Sequence, residues 1–166
     1  MERTANYCPR CGTPLENRLR YGRLRPVCSA CGHTVFFDPK VAVVVFVVAD
    51  DSVLLVKRAN EPGKGLWALP AGFVDADEDP REAAAREAKE ETGLSIEIDE
   101  LLDVLHRPDK SGLADIVIAY SGRVTGGKLH AADDAEAAGW FARDELPEIG
   151  LATTALLIER WLNSAD

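Results

Sequence analysis

The chain has 166 residues, 46% of them hydrophobic, and a formal net charge of −9 at pH 7, which suits one well-buried domain plus a small appendage. The acidic balance argues against non-specific nucleic-acid binding, which needs a basic surface. The longest apolar run, Val41 to Ala49, is strand-sized rather than membrane-spanning, and the first residues carry no apolar signal segment, so the expected location is cytoplasmic with no membrane partner.

All four cysteines lie near the start, as Cys8-Pro-Arg-Cys11 and Cys28-Ser-Ala-Cys31, each pair followed by a glycine (Gly12, Gly32). Glycine lets the backbone turn so that its amides face the sulfurs. Two CxxC knuckles at this separation have the spacing of a four-thiolate structural Zn²⁺ site. Two disulfides or redox-active pairs are the competing readings. A reducing cytoplasm disfavours the first, and neither pair sits at a thioredoxin-type strand-to-helix junction. Between the knuckles stand Arg18, Arg20, Arg23 and Arg25. That basic patch admits a nucleic-acid-binding reading, but with the overall acidity it reads better as a solvated hairpin. Four thiolates already complete a tetrahedron, so His33 is expected to be a hairpin residue rather than a ligand.

Phe36-Phe37-Asp38-Pro39-Lys40 marks the handover from a module at 1–38 to a domain at 39–166. Val41 to Ala49 is rich in β-branched residues and reads as a buried strand. Asp50-Asp51 makes a turn, and Ser52 to Arg58 returns as a second strand. A polar loop, Asn60 to Gly65, leads to Trp67, expected in the core. Gly72 to Leu94 then reads as a loop that becomes a helix. Asp77 or Asp79 caps it, Pro80 suits its first position and Gly93 ends it.

On that helix Glu87, Glu90 and Glu91 share one face. Like charges at these spacings cost a few tenths of a kcal/mol per pair, about 0.2–0.5. A hard divalent cation turns that cost into binding, because Mg²⁺ takes carboxylate oxygens together with substrate phosphates. The competing reading is a solvated acidic face. Beyond the helix, Leu94 to His106 and Leu113 to Val124 read as strands joined by a polar turn, Arg107 to Gly112, with His106, Asp115 and Tyr120 within reach of a site. Gly126-Gly127 reads as a turn. Asp133-Asp134-Ala135-Glu136 is an acidic loop ahead of Trp140-Phe141, and Leu151 to Asn163 is a final amphipathic helix.

Gly72, five residues, Glu78, seven residues, then Arg86-Glu87-Ala88-Lys89-Glu90-Glu91-Thr92-Gly93-Leu94 resembles the Nudix box at every specified position. The resemblance implies an α+β fold, an α/β/α sandwich behind an N-terminal zinc-ribbon β module. It implies a pyrophosphohydrolase that cleaves a nucleoside diphosphate linked to another moiety, giving a nucleoside monophosphate and the phosphorylated moiety. Mg²⁺ or Mn²⁺ would be held by Glu87, Glu90, Glu91 and the carbonyl of Ala71, with Glu90 as a further ligand or the general base. Arg86 would pair with Glu78 or a ligand glutamate and fix the carboxylates. Some relatives draw a base or extra ligand from the acidic loop, which makes Asp134 and Glu136 candidates. Zn²⁺ would sit on Cys8, Cys11, Cys28 and Cys31.

A zinc ribbon ahead of a Nudix domain resembles two subgroups. NADH pyrophosphatases carry a Ser-Gln-Pro-Trp-Pro-Phe-Pro type motif beyond the box, which this chain lacks. The other subgroup resembles ADP-ribose and FAD pyrophosphatases, and Pro70-Ala71-Gly72 points the same way. The expected substrate is therefore ADP-ribose, FAD or a similar small nucleotide diphosphate, with a homodimer by analogy. The alternatives are an NADH or oxidised-nucleotide pyrophosphatase, a zinc-ribbon nucleic-acid-binding protein, and a Nudix-fold ligand-sensing regulator.

Overall fold

The computed structural model describes residues 3–106 and 114–164, and the chain divides into two compact units at Pro39/Lys40. In the first, β1 (Leu15–Arg20) and β2 (Arg23–Cys28) form an antiparallel hairpin, Leu15 opposite Cys28 and Arg20 opposite Arg23. Its two-residue turn, Tyr21 at φ 51° and Gly22 at φ 75°, has the positive dihedrals that match the twist of a hairpin. Each cysteine knuckle closes through its glycine: Gly12 N–H donates to Cys8 C=O at 2.9 Å and Gly32 N–H to Cys28 C=O at 3.0 Å.

The second unit is a seven-stranded mixed sheet with one helix against each face. Its strands are β3 (Val41–Ala49), β4 (Ser52–Arg58), β5 (Trp67–Ala68), β6 (Ala71–Phe73), β7 (Leu94–His106), β8 (Ile116–Gly127) and β9 (Ala135–Ala142). The order is β5-β4-β3-β8-β7, with β6 also paired to β3 and β9 to β4. Asp50 and Asp51, at φ 47° and 58°, form the turn that sets Ala49 opposite Ser52. β3 is central and runs parallel to β8, which explains why its sequence is apolar on both faces rather than alternating.

The two-residue period of β3 separates two cores. Val43, Val45 and Val47 pack with Ala83, Ala84 and Ala88 of α1 (Pro80–Thr92). Val44 packs on the other side with Leu157 and Ile158 of α2 (Ala152–Asn163). The alanines of α1 have almost no bulk, so the helix lies close to the sheet. Trp67 belongs to the α2 core, its ring edge-on to Phe141 at 4.6 Å. The architecture is the expected α+β sandwich, with the four cysteines in a separate β module.

One expected turn is a strand. Gly126 and Gly127 continue β8, opposite Ser95 and Leu94. A Cβ on Gly127 would stand 2.3 Å from Gly93 C=O, so the glycine there serves close strand approach instead of a reversal. The expected polar turn at 107–112 lies outside the described residues. No helix among the described residues is long and apolar enough to cross a membrane.

Candidate active site

Helix α1 starts where its sequence says it should. Asp79 is the N-cap and its Oδ1 accepts from Arg81 N–H at 2.8 Å, with Pro80 following. Gly93 ends the helix in the left-handed region at φ 70° and donates to Lys89 C=O. This fixes the helical phase, and with it the direction of the carboxylates.

Glu91 points into the protein. It is 3% exposed, and its Oε2 accepts from the Ala71 amide at 2.9 Å. Burial pushes its carboxyl up to about 9; the Ala71 amide works against that shift, while the nearby Asp134 and Glu87 carboxylates add to it. Glu87 is also raised, by burial first, with Arg86 opposing and Glu90 and Asp134 reinforcing. Its carboxylate occupies the space over Gly72: a Cβ there would stand 1.9 Å from Glu87 Cδ.

Arg86 organises the acids around it. Its Nε and Nη2 donate to the two oxygens of Glu78 at 2.7 and 2.8 Å, a bidentate pair. Nη1 donates to Glu87 at 2.7 Å and Glu90 at 3.2 Å, and Nη2 also reaches Phe73 C=O at 3.1 Å. The hydrogen bonds from Arg86 hold Glu78 below the usual carboxylate range. The same contacts, led by Glu78, raise the guanidinium's own pKa, so it stays charged.

Asp134 arrives from the loop before β9. Ala132 N–H donates to Glu91 C=O at 3.2 Å and His130 N–H to Thr92 C=O at 3.0 Å. The loop thus satisfies carbonyls that a helix end leaves without partners, and in doing so carries Asp134 to Glu91 and Glu87. Glu136 goes elsewhere: it is exposed and lies 4.0 Å from Lys57 Nζ.

Part of this cluster borders a cleft of about 550 Å³, a volume suited to a small-molecule ligand. Ala71, Gly72, Arg86, Glu87 and Asp134 line it, whereas Glu78, Glu90, Glu91 and Glu136 do not. Of the other residues expected within reach, Tyr120 is buried in the α1 core, His106 is exposed, and Asp115 accepts from Lys40 N–H at 2.6 Å. None of the three borders the cleft.

Phe73, Asp75 and Arg58 are among the lining residues that the sequence reading did not single out. Phe73 is 45% exposed. The signal for it was present, because a strand that turns Gly72 toward the helix turns its neighbour the other way. Arg58 is fixed by its Nε, which donates to Pro62 C=O at 2.8 Å, a contact that only the folded loop reveals.

The residues present fit a divalent cation at the acidic face. Glu87 and Glu91 are both raised by burial and neighbouring negative charge, and Arg86 is already committed to Glu78. Among the described residues only the four cysteines bring three or more ligand atoms within 4.8 Å of one another. The acids form no such closed cage, and a Mg²⁺ site does not need one, since this ion keeps waters and takes substrate oxygens.

The cysteines fit zinc on their own geometry. All four are free thiols, and the Cys8–Cys31, Cys11–Cys28 and Cys11–Cys31 sulfurs are 3.6, 3.5 and 3.6 Å apart. A tetrahedron with Zn–S bonds of about 2.3 Å has edges of about 3.8 Å. Hydrogen bonds led by that of the Thr13 hydroxyl lower Cys11 to about 6. Cys31 rises to about 11: a backbone hydrogen bond at His33 opposes the shift, and Cys28, burial, Cys11 and Cys8 drive it. Four clustered thiols cannot all ionise without a cation among them.

The comparisons with known proteins agree with this geometry. The NUDIX domain family matches residues 38–162. An ADP-ribose pyrophosphatase of Methanocaldococcus jannaschii is 38% identical over 134 residues, 79% of each chain. The NAD-capped RNA hydrolase NudC of Vibrio vulnificus is 28% identical over 98% of this chain and 62% of its own length. A solved Nudix hydrolase from Nitrosomonas europaea superposes with a TM-score of 0.88 at 27% identity, covering 97% of this chain and 92% of that one. With a box helix whose carboxylates converge beside Gly72 and a family match across most of its length, the chain belongs to the Nudix hydrolases.

Proposed function

We propose that the protein hydrolyses the diphosphate of a nucleoside diphosphate joined to a second moiety, with ADP-ribose as its preferred substrate and FAD as a further one. The observation that carries this reading is the convergence of Glu87, Glu91 and Asp134 beside Gly72, at a cleft that also presents Phe73 and Arg58. Acids meet the diphosphate through a cation, while an aromatic ring and a guanidinium remain for the ends of a long substrate. The similarity to the M. jannaschii ADP-ribose pyrophosphatase supports the choice of substrate.

Glu87 and Glu91, one helical turn apart, are the ligand pair, with the Ala71 carbonyl and Glu90 completing the protein's share. Bound there, Mg²⁺ or Mn²⁺ supplies charge neutralisation of the diphosphate and a lowered pKa for the attacking water. Asp134 borders the cleft and accepts the proton of that water. Glu90, half-exposed and held by Arg86, serves as the further ligand and not as the base. The water oxygen forms the new bond to phosphorus, the bridging P–O bond breaks, and the leaving phosphate stays on the second moiety. Arg86 touches no substrate atom in this scheme. It holds Glu78, Glu87 and the end of β6 in one arrangement, and positioning together with charge stabilisation supplies nearly all of the rate advantage in phosphoryl chemistry.

A second reading, NADH pyrophosphatase, is favoured by one observation: a human mitochondrial NAD(P)H pyrophosphatase is 29% identical over 84% of this chain and 39% of its own length. A turnover panel with ADP-ribose, FAD, NADH and oxidised dGTP decides between them. Metal-dependent release of AMP from ADP-ribose, lost in Glu91→Gln, is the expected result. Higher kcat/KM for NADH than for ADP-ribose would overturn the substrate assignment and keep the mechanism. Turnover surviving in Glu91→Gln would overturn the mechanism.

A further inference from the structure

The whole-chain charge of −9 hides an uneven division. Residues 1–39 hold six arginines against three acids, net +3, so residues 40–166 carry −12. Such asymmetry between parts of a chain is the mark of a polyanion partner. Four of the six arginines stand on the β1–β2 hairpin. The ladder sets Arg18 opposite Arg25 and Arg20 opposite Arg23, and the two-residue period puts both pairs on the same face.

Directly opposed like charges work against a hairpin, and little in the fold relieves them. Glu16 pairs with Arg18 at 2.8 Å. Arg20, Arg23 and Arg25 make no ion pair among the described residues, and the buried Nε of Arg25 finds no acceptor. The Arg25 guanidinium lies 4.6 Å from the centre of the Phe36 ring, and Phe36 stacks on Tyr21 at 5.9 Å with 29° between planes. Tyr21 is 77% exposed and Phe36 50%. The cationic face therefore runs without a break into an aromatic pair that is left open to solvent.

We propose that this hairpin face binds single-stranded RNA, phosphates on Arg20, Arg23 and Arg25 and an unstacked base on Tyr21 and Phe36. Guanidinium groups alone would serve any polyanion. The exposed rings favour a strand whose bases are free to splay out, which a duplex hides and single-stranded RNA offers. The proposal concerns residues 1–39 alone and stands apart from the substrate of the hydrolase domain.

The test is fluorescence anisotropy of a labelled RNA of about twelve nucleotides with the zinc-loaded full chain, in EDTA-free buffer without Mg²⁺ or Mn²⁺. Each phosphate neutralised on a single strand contributes about −0.7 to the slope of log K against log salt. Three unpaired arginines give a slope of about −2, or binding about 20-fold weaker at 200 than at 50 mM salt. Arg20→Ala/Arg23→Ala should reduce the slope to about −0.7. Tyr21→Ser should weaken binding about tenfold at every salt concentration and leave the slope alone.

Zinc content verifies that the hairpin is intact, and Arg20→Gln/Arg23→Gln replaces any variant that loses metal. ADP-ribose turnover, a property of the other unit, should not change in these variants, so failure here and failure of the hydrolase reading are distinguishable. Equal or tighter binding of a duplex, tighter binding of single-stranded DNA, or indifference to Tyr21→Ser would overturn the proposal. So would self-association through the exposed Leu19 and Leu24 on the opposite face, seen as a dimer that excludes RNA.

Discussion

Gly72 is the most sharply testable position, because its side chain is missing for a reason the geometry states. A Cβ there would stand 1.9 Å from Glu87 Cδ and 2.2 Å from both carboxylate oxygens, where ordinary contact begins at 3.4 Å. In Gly72→Ala the carboxyl carbon must therefore retreat by roughly 1.5 Å, and it can, since it is the end of a flexible side chain. Nothing need happen to the backbone, which is not in the left-handed region at this position. Stability is expected to change by less than about 1 kcal/mol, the weakened Arg86–Glu87 contact being partly offset by lost freedom of the unfolded chain. Activity should respond differently, because a misplacement of about 1 Å at a reacting centre costs on the order of 100-fold. The assay is kcat for AMP release across a Mg²⁺ titration, with Tm measured beside it. If the retreat of Glu87 is the cause, Gly72→Ala and Glu87→Gln remove the same function and their effects will not add in the double variant. Near-normal kcat with an unchanged Mg²⁺ response would refute the reasoning, as would full additivity.

Stability against pH reports on Glu91. Its folded-state carboxyl, at about 9, lies above the ordinary value of about 4.3. Its contribution is therefore complete at low pH and lost progressively as pH rises toward 9, so Tm of the metal-free protein should fall across that window and Glu91→Gln should flatten the fall. Glu78 runs the other way: held low by Arg86, it favours folding above its ordinary range and loses that contribution in acid. Arg86→Lys keeps the charge and forfeits the bidentate fork on Glu78, so kcat should drop about 10- to 100-fold with KM little changed; an equal rise in KM would place Arg86 on the substrate instead. Purified protein should carry one zinc per four cysteines, released on thiol modification, and Cys28→Ser should lose it; a full complement of metal in that variant would remove Cys28 from the ligand set.

How much of this was legible in the sequence depends on how local the signal was. Asp79, Pro80 and Gly93 mark the ends of α1, because capping is decided by neighbours a few residues apart. Glu87, Glu90 and Glu91 share a face for the same local reason. What the period could not reveal is that they meet different surroundings: Glu91 is buried at the Ala71 amide, Glu87 lies over Gly72, and Glu90 is left half-exposed. That split depends on where β6 crosses the helix, which is tertiary information. Asp134 and Glu136 were indistinguishable as loop acids, and the loop's attachment to Thr92 and Glu91 carbonyls separates them. Gly126-Gly127 looked like a reversal because glycine pairs mark turns, yet the tight passage beside Gly93 also demands glycine. Composition averages over the chain: the net charge of −9 combines a basic segment at 1–39 with an acidic one at 40–166.

The acidic domain and its helix express one physical conflict. Glu78, Glu87 and Glu90 gather around a single guanidinium with Glu91 and Asp134 close by, and Glu87 and Glu91 are raised by burial and by neighbouring carboxylates. Folding by itself gains nothing from driving carboxylates together in a poorly hydrated place; a solvated acidic face would have spread them outward, as Glu90 is. The arrangement is stable because Arg86 neutralises part of the charge and Ala71 and the helix-capping loop hold the rest in position. The carboxylates that line the cleft, Asp75, Glu87 and Asp134, outnumber its two arginines, Arg58 and Arg86, which disfavours an anionic diphosphate. Only a bound cation reverses the sign, so this geometry ties substrate affinity to metal occupancy. A non-hydrolysable ADP-ribose analogue should accordingly bind the metal-free chain far more weakly than the metal-loaded chain, which calorimetry measures directly. Comparable affinity in the two would mean that the cleft's own cations, Arg58 and Arg86, hold the diphosphate, and that the acids serve some other end.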